Sequence, residues 1–133
     1  MTMAHKSMSQ LKRNHFRIKV QLPVEFLIVK YLNQPVEHLK DKQGKGAIHD
    51  LGEGGLSFFS TLSLPVDMVI RLRFFLPGTG DYGELCRVVR VRAVGNRWLI
   101  AVQFLNMGGK RRELLRQFIS QEVKRKVRIV EYM

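Results

Sequence analysis

One cysteine, four prolines and eleven acidic residues among 133 leave this chain short of several things, and each shortage closes off a class of protein. A lone thiol, Cys86, forms no internal disulfide and supplies no paired Cys or Cys/His spacing for structural zinc, so a reducing cytoplasm is the simplest setting. The apolar runs stop far short of the roughly 18 residues that cross a bilayer. No charged start followed by an apolar stretch opens the chain, so a soluble protein with neither signal peptide nor membrane span is expected. A phosphate loop of the G-x-x-x-x-G-K-[ST] kind is missing as well, because Gly44-Lys45-Gly46 and the glycines at 52, 54 and 55 lack its spacing. No nucleophile with a base, paired carboxylates or metal-ligand cluster can be assembled, so the expectation is no enzyme, no metal and no cofactor.

The scarcity of acid leaves a formal charge of +12, distributed unevenly. Residues 1–20 carry five Lys or Arg against no acid, residues 21–107 carry ten against eight, and residues 108–133 carry eight against three. Positive charge at both ends favours a negative partner, whether nucleotide, nucleic acid, anionic membrane or acidic protein surface, and it also serves solubility.

The length suits one domain. Residues 1–10 read as a small, polar, aperiodic lead-in, residues 11–126 as the domain, and residues 127–133 as a tail. From Ile18 to Ile28 apolar and polar residues alternate, which predicts one long half-buried strand, with Pro23 placing it at a sheet edge or bulge. A polar loop from Asn33 to Lys45 leads to a short strand around Gly46 to His49, and the sequence Asp50 to Gly55 reads as a turn. Strands follow around Leu56 to Phe58 and Val66 to Leu76. Pro77 to Asp81 makes a glycine-rich turn, and Gly95-Asn96 between Leu85 to Val94 and Arg97 to Leu105 is a hairpin signal. Beyond Met107 the period changes, and Leu114, Leu115, Phe118, Ile119 and Val123 fall at helical spacing on one amphipathic helix that covers an open end of a small barrel. The implied class is mainly all-β.

Two short motifs stand apart from this framework. One is R-x-x-x-R at Arg13 and Arg17, with Lys12 just before it. The other is D-x-G-x-x-G at Asp50, Gly52 and Gly55. Taken singly, the first is a solvated basic segment, and the second is a tight turn whose glycines supply positive φ and whose aspartate bonds nearby amides. His15 and His49 lack metal-ligand spacing, and His49 reads as an exposed strand-end residue. Cys86 reads as packing, and Trp98 as core or barrel rim.

In order and framework, with an arginine pair before the first strand, an Asp-to-Gly turn before the third and a W-x-x-A-V-Q-F strand before a terminal helix, residues 11 to 120 resemble the PilZ domain family. That resemblance implies a six-stranded antiparallel Greek-key-like β-barrel with a C-terminal helix. It also implies cyclic di-GMP as ligand, gripped at phosphate and guanine by Arg13 and Arg17, with Asp50 accepting from a guanine edge, Gly52 and Gly55 shaping the turn and Lys12 adding charge. The family pattern has Ser where this chain has Gly52, which removes one hydrogen bond of about 1 kcal/mol. A guanidinium suits such a ligand, since it forks onto phosphate or guanine O6 and N7 and stacks on bases. The leading expectation is therefore a receptor whose arginine segment rearranges on binding and signals to an unidentified protein partner. The alternative is a PilZ-like interaction module that needs no nucleotide. The third is a basic barrel for single-stranded nucleic acid, for which surface aromatics are few.

Overall fold

The computed structural model describes residues 17–31 and 43–131, with side chains followed through Arg125. Alternating segments form strands β1 (Ile18–Lys19), β2 (Pro23–Tyr31), β3 (Gln43–Leu51), β4 (Gly55–Ser60), β5 (Met68–Leu76), β6 (Gly80–Val94) and β7 (Arg97–Phe104), followed by helix α1 (Gly109–Glu131). All pairings are antiparallel, and β2 to β7 close into a six-stranded barrel because β4 pairs with β7 on one side and back onto β3 on the other. Around the ring β2, β3 and β4 are successive neighbours while β5 returns to lie beside β2, which is Greek-key order. The expected barrel with a terminal helix is the observed fold.

The single long strand expected from Ile18 to Ile28 is divided in two. Ile18 and Lys19 pair with Leu51 and Asp50, residues 20–22 leave the ladder, and Pro23 opens β2 opposite Ala47. Pro23 has no N–H to donate, and the first position of a strand tolerates that. It sits at a strand start inside the ring, at neither an edge nor a bulge. The Leu22 carbonyl accepts the Ile48 N–H at 2.8 Å across the gap, and Val20 and Leu22 still pack against the core, so alternation persists where the ladder does not. β3 begins three residues before Gly46, and β6 begins at Gly80, five before Leu85. The hairpin at Gly95-Asn96 forms as read, with Val94 opposite Arg97 and Gly95 at φ 61°, the left-handed conformation that a two-residue connection requires.

Helix α1 lays Leu115, Phe118 and Ile119 against the barrel, all buried. Leu114, expected on the same stripe, is 38% exposed. The helix is also held by polar contacts. Arg111 reaches Glu84 Oε2 with Nη2 at 2.6 Å and Nε at 2.9 Å, and the Glu84 side chain is only 8% exposed. Its guanidinium also stacks 4.8 Å from the centroid of Tyr82, whose hydroxyl donates to the Arg111 carbonyl at 3.3 Å. Among the described residues no helix is long and apolar enough to cross a membrane.

Candidate functional site

Arg17 and Asp50 come from two motifs 33 residues apart, and the β1–β3 ladder brings them together. Arg17 directly precedes β1, and the pairing of Ile18 with Leu51 and Lys19 with Asp50 carries the arginine over the turn that follows β3. Its Nε donates to Asp50 Oδ2 at 3.1 Å and its Nη2 to Oδ1 at 2.9 Å, the fork geometry that matches a guanidinium to a carboxylate. Ser57 Oγ donates to the same Oδ1. Partial burial pushes the Asp50 carboxyl up, but the hydrogen bonds from Arg17 and Ser57 and the nearby charge of Arg17 outweigh it, holding Asp50 at about 2.

The turn glycines do not take the positive φ expected of them, and Gly52 and Gly55 instead make room in separate ways. A Cβ at Gly52 would lie 3.0 Å from Arg17 Nη1 and 3.3 Å from its Cγ, so the bare backbone is the floor over which Arg17 crosses to Asp50. The Gly52 N–H donates to the Gly55 carbonyl at 2.8 Å and closes the turn. A Cβ at Gly55 would collide with the Val102 carbonyl of β7, so Gly55 lets β4 approach its neighbour. Arg17, Asp50, Gly52 and Gly55 are thus brought into one place, while Lys12 and Arg13 lie outside the described residues.

Two irregularities in the barrel wall shape what lies beside Asp50. The ladder between β3 and β4 shifts between Ile48 and Asp50, a bulge that turns both His49 and Asp50 toward the same outer cleft. The ladder between β6 and β7 shifts between Val88 and Arg90, leaving Val89 and Arg90 both exposed. Between these bulges lies a cleft of about 340 Å³ lined by His49, Asp50, Ser57, Arg90, Arg92, Leu99 and Ala101. His49 also walls a wider hollow of about 660 Å³ that includes Lys19, Pro23, Phe59 and Arg97. There Lys19 Nζ donates to His49 Nε2 at 2.8 Å, the His49 ring meets Phe59 edge-on at 5.1 Å, and Arg97 lies over the Phe59 ring at 4.1 Å.

His49, Ser57, Arg90 and Arg92 are the polar cleft residues that reading the sequence did not single out for a site. Arg90 and Arg92 left a trace, two arginines at strand spacing on the polar side of a hairpin arm. The bulges left none. Among the described residues no group of three His, Cys, Asp or Glu side chains is placed to hold a metal ion.

A family model for the PilZ domain matches residues 11–121. Among solved structures, the chain is similar to the Bacillus subtilis inhibitor of motility MotI/DgrA, with a TM-score of 0.70 and 15% identity over 86% of this chain and 52% of that one. It is similar to YcgR from Escherichia coli in complex with c-di-GMP, with a TM-score of 0.67 and 15% identity over 92% and 51%. It is also similar to the isolated PilZ domain of YcgR with c-di-GMP, with a TM-score of 0.58 and 16% identity over 89% and 97%. The chain therefore spans roughly half of the first two proteins and nearly all of the isolated domain. At these identities the structural likeness is one of fold. No curated protein sequence matches the chain.

Proposed function

Because the chain belongs to the PilZ domain family, we propose that it binds cyclic di-GMP at the Asp50 cleft, rearranges its N-terminal arginine segment and passes that change to a protein partner. The observation that carries this reading is the fork between Arg17 and Asp50. A guanine presents two N–H donors side by side on its pairing edge, which is the same donor pattern that Arg17 offers to Asp50 Oδ1 and Oδ2. Ligand and arginine compete for one carboxylate. When guanine takes Asp50, Arg17 is released with its charge intact, free with Arg13 and Lys12 to meet phosphate oxygens or the O6/N7 edge of a base. The displaced arginine is what moves, and the movement is the signal.

Calorimetric titration of the protein with cyclic di-GMP, with cyclic di-AMP and GTP as controls, tests this. Selective binding in the micromolar range or tighter, abolished by Arg17→Ala, is the expected result. No heat at high protein concentration overturns it and favours a PilZ domain that works by protein contact alone, a reading that draws on Gly52 in place of the family serine and on the occupation of Asp50 by the chain's own arginine. A basic barrel for single-stranded nucleic acid would instead show oligonucleotide affinity that rises with length and falls steeply with salt.

A further inference from the structure

The cleft is laid out along a single cross-strand row. Asp50 on β3 stands opposite Ser57 on β4, Ser57 opposite Ala101 on β7, and Ala101 opposite Arg90 on β6. Three strand spacings separate the ends, about 14 Å. In the next outward-facing row Leu99 stands opposite Arg92. The middle of this trough is floored by Ser57, Ala101 and Leu99, which keep it low. One end presents a carboxylate and the other two guanidiniums.

The two ends differ in how they are satisfied. Asp50 holds Arg17 and Ser57. Neither the Arg90 nor the Arg92 side chain takes part in a hydrogen bond or ion pair among the described residues, a state shared with Arg71, Arg73 and Arg112, whereas Arg17, Arg87, Arg111, Arg116 and Arg125 each have a carboxylate partner. Two adjacent like charges without a counter-charge repel each other, and an anion between them relieves that repulsion. A ligand with paired N–H donors at one end and a phosphate at the other matches the order of groups along the row, and that is the order within a guanine nucleotide. The cleft volume stands at the lower end of the roughly 300–1,000 Å³ usual for small-molecule pockets, which suits one nucleotide unit of a larger ligand.

We infer that Arg90 and Arg92 are ligand-binding residues that hold a phosphodiester of the cyclic dinucleotide, and that Ser57 is a positioning residue that keeps the Asp50 carboxylate aimed at the base. This rests on the receptor reading above and extends its site from β3 across to β6. Ser57 shares Oδ1 with Arg17, so when Arg17 leaves, the serine hydroxyl still fixes the carboxylate plane. Gly52 contributes no hydroxyl on its side of Asp50, and Ser57 supplies one from the floor.

The test is calorimetry of the full chain with cyclic di-GMP at low and at physiological salt. Arg90→Gln and Arg92→Gln are each expected to weaken binding roughly tenfold, the size of a lost charge-assisted hydrogen bond, and the double variant to flatten the salt dependence. Arg73→Gln removes the same charge from the exposed face of β5 outside the cleft and is expected to bind as wild type. Ser57→Ala is expected to narrow the preference for cyclic di-GMP over cyclic di-AMP, a readout that loss of stability alone leaves unmoved. Wild-type binding that persists unchanged in Arg90→Gln and Arg92→Gln overturns the phosphate assignment and leaves the receptor reading standing. An equal loss in Arg73→Gln reduces the effect to net charge and also overturns it. An unchanged guanine preference in Ser57→Ala removes the serine from the site. If the wild-type protein binds nothing, the receptor reading fails and this inference fails with it.

Discussion

The carboxylate of Asp50 is pulled in two directions. Burial favours its neutral form, but the bonds from Arg17 and Ser57 favour the charged one and prevail, bringing the group from 3.8 to about 2. A carboxyl held lower in the folded chain than in the unfolded one stabilises the fold above its unfolded value and loses that contribution as the pH drops toward its folded value. Asp50→Asn is therefore expected to cost on the order of 1 kcal/mol at neutral pH, the modest size fitting a fork whose arginine is half exposed. In urea titrations the gap between variant and wild type should shrink as the pH is lowered from 3.8 toward 2, and a gap that does not depend on pH would refute the assignment. Arg17, Asp50 and the turn glycines were legible in the sequence because motif spacing survives folding unchanged. His49 and Arg90 were not, since which face a strand residue takes depends on the bulges after Ile48 and Val88, and a bulge shifts alternation without any particular residue type to announce it; Ser57 alternates regularly on β4, but only the register places it opposite Asp50.

Among the elements, α1 depends on one buried acid. Glu84 points inward from β6 at 8% exposure and is matched by Arg111 in the first turn of the helix. Removing the cation leaves the acid buried without a partner, so Arg111→Ala is expected to destabilise by about 2 kcal/mol, reduced from the larger cost of a fully buried pair because Arg111 itself is partly in water. The urea midpoint measures this, and combining the change with Glu84→Gln should recover part of the loss. The turn that follows Asp50 is tied to the same helix, since Arg116 donates Nε and Nη2 to Glu53 Oε1 at 3.1 and 3.0 Å. The amphipathic stripe made the helix itself legible. Its anchors were not, because Glu84 and Arg111 are 27 residues apart and only the closed barrel brings them together. The split between β1 and β2 escaped a reading of alternation for a related reason, as Val20 and Leu22 stay packed on the core while their backbone leaves the ladder.

For the molecule as a whole, Cys86 reports on integrity. Its thiol is fully buried on the inner face of β6, and burial, with the charge of Glu84 adding to it against Arg71, pushes it up to about 12. It is expected to resist iodoacetamide at mildly alkaline pH and to react only with molecules that have opened the barrel, so labelling followed by mass spectrometry should track the same urea transition as circular dichroism. Labelling in native buffer at the rate of a free thiol would contradict the closed ring. That ring has one more result for whatever meets this protein. Each of β2 to β7 has a strand on either side for part of its length, but β6 pairs with β5 only as far as Arg87 and with β7 from Cys86 onward, so its arm from Val89 to Val94 keeps one side unpaired among the described residues. Among the described residues a partner that adds a strand finds its template only on that open side of the β6 arm, and around the rest of the ring docking is read from side chains on the outer wall or on α1.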